Sequence, residues 1–278
     1  MSKFVWGMLL VLAVTPASAG AAGIAEGQWQ FGSSPSFSSG KYGTDSRTEV
    51  LHTPITARRL FDNGDVTLVF PLTCISGSGG ITVVDGSPVR NERLGNAGSS
   101  ARTGLSPASP PVPRATDCGV GDVVVRGRYY LLDERGWLPT IAVRAHIKTP
   151  TASAERGLGT GRPDEGVGLE VSRLLAGGVL AMVDGGYTVI GKPADLQYNN
   201  NWWYDVGIGR DLTHGVVNLS VFFEEDRAIV PGLDNARDIL AAVSLKGAAG
   251  WRFQVSGQFG LSEGAPDHGL TFGLSRKF

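Results

Sequence analysis

The 278 residues carry 25 Lys and Arg against 26 Asp and Glu, so the chain is nearly neutral. That removes any simple argument for nucleic-acid binding, which wants a basic patch or stripe. Charged residues are only 18%, Gly reaches 40, and 42% hydrophobics is too many for a disordered chain.

Taken in chain order, the first segment is an export signal. Ser2-Lys3 is a short basic stretch, Val5 to Val14 is apolar, and Ala17-Ser18-Ala19 is a small-x-small cleavage site. Residues 1–19 read as a secretory signal peptide, too short to span a bilayer. A retained N-terminal anchor is the alternative. Residues 20–278 read as one domain. The longest later apolar run, Leu174 to Val183, is interrupted by two glycines, so no spanning helix is expected. The exported chain is then either soluble outside the inner membrane or a membrane β-barrel, whose strands hydropathy windows miss.

Period-two alternation favours the barrel. Ile141, Val143, Ala145 and Ile147 oppose Arg144, His146 and Lys148. Trp202, Tyr204, Val206 and Ile208 oppose Asp205. Trp251, Phe253 and Val255 oppose Arg252 and Gln254 in the same way. Twelve strands are predicted, at 27–36, 47–61, 65–76, 121–132, 137–149, 165–175, 178–191, 201–212, 215–227, 236–246, 250–262 and 268–278. Ten or fourteen strands are the alternatives, because the first two alternate poorly and Pro54, Pro71 and Pro139 lie inside strands. The connections alternate short and long, as in outer-membrane barrels with short periplasmic turns and longer outer loops. Both termini are then expected in the periplasm. The short turns carry Asn63-Gly64 and single glycines, which suit positive φ. The fold class is therefore all-β, a transmembrane antiparallel up-and-down barrel.

Residues 77–120 form the longest irregular stretch, an external loop of the functional or disordered kind. Cys74 and Cys118, the only cysteines, stand at its two ends. In an oxidising compartment they are expected to pair. Two free thiols or a bound metal are the alternatives. The loop either enters the barrel as a constriction or covers it as a lid.

With the apolar parity facing lipid, the opposite parity faces the lumen. That places Arg126, Arg128, Tyr130, Arg144, His146, Lys148, Glu170, Asp184, Asp205 and Arg252 inside. Basic residues gather on two neighbouring strands and acids on the next ones. The two walls either hold a transverse field across an open pore or pair with each other in a plugged one. No cofactor is expected, and no metal-ligand spacing is present. The partners expected are outer-membrane lipids, small solutes and the barrel-assembly machinery, the last through a terminal strand ending in Phe278. Arg276 departs from the apolar residue usual near such an end.

Gly121-Asp122, Arg126, Arg128-Tyr129-Tyr130, Lys148-Thr149-Pro150-Thr151, Gly157-Leu158-Gly159-Thr160-Gly161, Asp164 and Gly185-Gly186-Tyr187-Thr188 form a connected pattern. It resembles the outer-membrane protein family associated with the meta-pathway of phenol degradation, over about 115–278. The resemblance implies a channel or transporter for small hydrophobic or aromatic compounds. A non-conducting barrel with partner-binding loops is the second reading. A barrel lipid hydrolase is the third, weakened because none of His52, His146, His214 and His268 has a His-x-Ser spacing on a strand.

Overall fold

A computed structural model describes residues 28–44, 46–77, 81–84, 87–90, 115–194 and 196–278. The expected signal peptide and most of the 77–120 stretch lie outside the described residues.

In hydrocarbon every backbone N–H and C=O needs a protein partner, so alternating strands are stable only when the sheet closes. The chain closes it. In order, the strands are β1 (Trp29–Ser33), β2 (Ser36–Gly40), β3 (Thr48–Phe61), β4 (Gly64–Gly77), β5 (Ile81–Val84), β6 (Ser87–Arg90), β7 (Ala115–Val120) and β8 (Val124–Leu132). They continue as β9 (Thr140–Lys148), β10 (Asp164–Leu174), β11 (Val179–Val189), β12 (Asn201–Leu212), β13 (Val217–Asp226), β14 (Ala236–Lys246), β15 (Trp251–Gly260) and β16 (His268–Lys277). All pairings are antiparallel, and β16 returns to β1 and β2. Because β1 with β2 and β7 with β8 are halves of single staves, the wall has twelve strands.

The two breaks have one cause. Pro54 and Pro71 face each other across β3 and β4. The carbonyl of Pro54 accepts from Ser34 N–H on the β1/β2 side, and that of Pro71 from Gly121 N–H on the β7/β8 side. Each proline therefore turns its donorless nitrogen toward the neighbouring stave, which loses one ladder hydrogen bond there. The first neighbour breaks at Ser34-Pro35. The second bulges, setting Gly121, Asp122 and Val123 against Phe70 and Pro71.

These breaks account for the strand bounds the alternation misplaced. β2 and β7 fall in stretches expected to be loop, since Ser36–Gly40 has only Phe37 as an apolar residue and Ala115–Val120 has only Ala115, Cys118 and Val120. Pro139 precedes β9 instead of interrupting it. Asn63 and Gly64 have no positive φ, whereas Gly136 and Gly177, single glycines of other short turns, do, as do His214 and Ala249.

The outward parity is apolar. Val206, Ile208, Val221 and Val255 are exposed there, and aromatic side chains gather toward the ends. Trp29, Phe31, Trp251, Phe253 and Phe278 mark the short-turn end; Tyr187, Trp202 and Tyr204 lie toward the long-loop end. Such belts sit at membrane interfaces. Arg276 fits this belt because its guanidinium lies over the rings of Trp251 and Phe278, 5.3 and 4.6 Å from their centroids.

Cys74 and Cys118 are direct partners in the β4–β7 register, and their sulfurs are bonded. The bridge encloses a chain separation of 44 residues. Loop-entropy reasoning gives at most about 4 kcal/mol for such a closure. Replacing both cysteines by Ser is expected to lower unfolding free energy by up to that amount in urea titrations of the vesicle-inserted protein. An unchanged midpoint would show that strand pairing alone holds this edge.

Candidate functional site

All ten residues assigned to the lumen from alternation occupy the inward parity. Arg126, Arg128, Arg144, His146, Lys148, Glu170, Asp184 and Asp205 are buried, while Tyr130 and Arg252 are half-buried nearer the short-turn end. The basic and acidic walls are joined rather than held apart. Arg128 Nε lies 3.5 Å from Glu170 Oε2, and Arg144 Nη1 3.9 Å from the same oxygen. Arg144 Nη2 also pairs with Asp184. Lys148 Nζ reaches Asp122 and Asp164 at 3.0 and 2.6 Å. Buried charges must be matched in this way, since removing either partner leaves the other uncompensated. His146 lies flat above Gly166, where an added Cβ would fall 2.1 Å from the ring.

The register reveals an arrangement that strand-by-strand reading missed. Glu170 stands opposite Asp184, Asp184 opposite Asp205, Asp205 opposite Glu224 and Glu224 opposite Asp238. Five carboxylates thus form one row across β10 to β14, all buried. Directly opposed like charges destabilise a sheet, so the row needs the guanidiniums at its β10–β11 end and hydrogen bonds elsewhere. Gln258 donates to Asp238 at 2.9 Å. Alternation within each strand places such residues inside, but only the pairing aligns them.

An apolar patch borders this row on its short-turn side. Met182, Phe222, Leu240 and Ala242 pack together inside the barrel, and Leu180 joins them. Trp203 lies on the other side of the carboxylate row, and Arg144 sits 4.9 Å above its ring centroid. Glycines make room for these inward aromatics. A Cβ on Gly186 would fall 2.4 Å from both Trp203 and the Val167 carbonyl; one on Gly207 would fall 2.2 Å from Phe222. Sequence parity puts Trp203 and Phe222 inward, but their neighbours Trp202 and Phe223 mask the signal.

At the long-loop end the hairpin β5–β6 enters the mouth. It pairs with itself and takes no place in the wall. Val83 is buried with Val50, Ile75, Ala152 and Leu158. Val84 is buried with Ile190, Tyr198, Ile229 and Val230. Val83 N–H and Thr82 Oγ1 both donate to the Gly157 carbonyl, at 2.9 and 3.0 Å. Part of the 77–120 stretch is therefore an ordered hairpin in the barrel mouth.

A sequence profile described as "Putative MetA-pathway of phenol degradation" matches residues 77–278. The chain belongs to this family. No curated protein matches it by sequence. Among solved structures, an outer-membrane channel from Pseudomonas putida F1 is 11% identical, with a TM-score of 0.68, covering 91% of this chain and 96% of that one. The KdgM porin is 9% identical, with a TM-score of 0.47 and coverage of 90% and 99%. The CymD monoaromatic hydrocarbon channel is 10% identical, with a TM-score of 0.43 and coverage of 91% and 88%. At these identities the likeness is one of fold.

The family pattern noted in the sequence has a structural meaning here. Asp122 Oδ1 accepts from Ala152 N–H at 2.8 Å, and Asp164 Oδ1 accepts from Gly191 N–H at 2.7 Å. Thr151 Oγ1 donates to the Gly121 carbonyl and accepts from Val123 N–H. With Lys148 bridging the two aspartates, residues from three family motifs become one knot beneath the hairpin. The glycine-rich motif supplies the carbonyl that seats it. These motifs fix the mouth of the barrel.

Proposed function

We propose that the protein is an outer-membrane channel that lets small hydrophobic or aromatic molecules cross passively, with β5–β6 as its constriction. The observation that carries this reading is the hairpin seated in the mouth of a closed membrane barrel. Beside it lies a small cavity of about 60 Å³, lined by Pro88, Val89, Ile229, Val230 and Leu233. Tyr42 closes one side of that cavity, with its hydroxyl 2.9 Å from Ser38 Oγ. Burial pushes the Tyr42 phenol above its ordinary pKa, so it stays neutral in a site that suits neutral solutes. The family's description ties it to phenol degradation, in keeping with aromatic cargo. Solute leaving the mouth would pass Arg126, Arg128, Arg144, His146 and Asp205. Both termini then face the periplasm, and the strand ending in Phe278 engages the assembly machinery.

A second reading, a non-conducting barrel whose loops bind a partner, is favoured by the ion-paired walls and the inward Met182–Phe222–Leu240 patch. Single-channel recording of refolded protein in planar bilayers separates the two. Steady conductance is the expected result. Silence both before and after reduction of the Cys74–Cys118 bond would leave only the second reading.

A further inference from the structure

The short-turn end holds a second cavity, of about 420 Å³. That volume lies within the range of roughly 300–1,000 Å³ found for small-molecule sites. Arg58, Lys246, Arg252 and Lys277 line it, with Asp62 and Asp65 as the lining carboxylates. Arg58 is matched by Asp65, Nη2 to Oδ2 at 2.6 Å. Asp211 stands near Lys246 and Arg252. Among the described residues, four cations therefore meet three carboxylates, of which Asp62 sits in an exposed turn. Lys277 lies close enough to Arg58 and Arg252 to be repelled by both. One wall is apolar and aromatic, made by Leu60 and Tyr130. Arg128 Nη1 donates to Tyr130 Oη at 3.3 Å and holds that phenol in place.

A concave site with excess positive charge beside an aromatic wall fits an anion attached to a flat ring. An inorganic anion would leave the ring wall unused, and a neutral aromatic would leave the cations repelling one another. We propose that this vestibule binds a small aromatic monocarboxylate, its carboxylate facing Arg252 and Lys277 and its ring against Tyr130. The site is separate from the cavity beside the hairpin, and it stands whether or not the lumen conducts.

The test is isothermal titration calorimetry of the full refolded protein in detergent, with benzoate, benzamide, benzylamine and inorganic phosphate as probes. Benzoate is expected to bind at least about tenfold more tightly than the other three. The Arg252→Gln/Lys277→Gln double variant is expected to lose that margin while keeping the strand circular dichroism of the parent. Should the double variant fail to refold, Lys277→Gln alone, at an exposed position, must still weaken benzoate binding severalfold. Benzamide binding as tightly as benzoate overturns the proposal, and so does benzoate affinity unchanged in the variants. Phosphate that equals benzoate and displaces it also overturns it, by leaving the ring without a role. A barrel that binds benzoate yet never conducts refutes the channel and leaves the vestibule site intact.

Discussion

Replacing Arg144 by Ala is expected to lower the free energy of unfolding of the bilayer-inserted barrel by about 3–5 kcal/mol. Arg144 is the cation shared by Glu170 and Asp184, and its side chain is almost wholly buried. Without it, Arg128 remains beside Glu170 at the β10–β11 end of the carboxylate row. The loss comes from leaving charge uncompensated, so Arg144→Ala combined with Asp184→Ala should recover part of it. Urea titration followed by tryptophan fluorescence reads both effects, since Arg144 also lies over the Trp203 ring. A change under about 1 kcal/mol, the scale of an exposed ion pair, would show that water already shields these groups.

The second large effect concerns passage rather than stability. Val84→Asp is expected to release β5–β6 from the mouth and raise single-channel conductance severalfold. Val84 is fully buried against Ile190, Tyr198, Ile229 and Val230. Burying such a side chain contributes about 1.5–3 kcal/mol, and a carboxylate in the same place would instead carry a desolvation cost. Because β5–β6 pairs with no strand of the wall, the twelve strands should keep their circular dichroism. The measurement pairs conductance with proteolysis of the released hairpin. Conductance that stays at the parental level after the hairpin becomes cleavable would remove β5–β6 as the constriction.

Both effects depend on features that were unequally visible in the sequence. Alternation placed Arg144, Glu170 and Asp184 inside, because a half-turn per residue along a strand needs no knowledge of neighbours. The carboxylate row needed the register, which links residues far apart in sequence. Regular alternation from Thr140 onward gave strand bounds close to those observed. It failed at β2 and β7, where small and polar residues are carried by pairing with β3, β4 and β16 rather than by an apolar face. The hairpin was hidden for another reason. Ile81–Val84 is four residues long with every side chain buried, so no period exists to detect. The vestibule was only partly legible: Arg252 was assigned inward, whereas Arg58 lay in a strand whose alternation is poor.

The facing prolines carry a dynamic consequence. At the height of Pro54 and Pro71 the hydrogen-bond ladder is thinned on both sides of the β3–β4 ribbon, at Ser34-Pro35 and at the Gly121–Val123 bulge. The ribbon thus divides into two blocks that can exchange amide protons on separate clocks. The block toward the long loops, made with β2 and β7, pairs over as many residues as the other, but there the Cys74–Cys118 bridge adds a covalent rung. Reduction should speed exchange in that block while leaving the amides of the β1–β3 and β4–β8 ladders at their former rate.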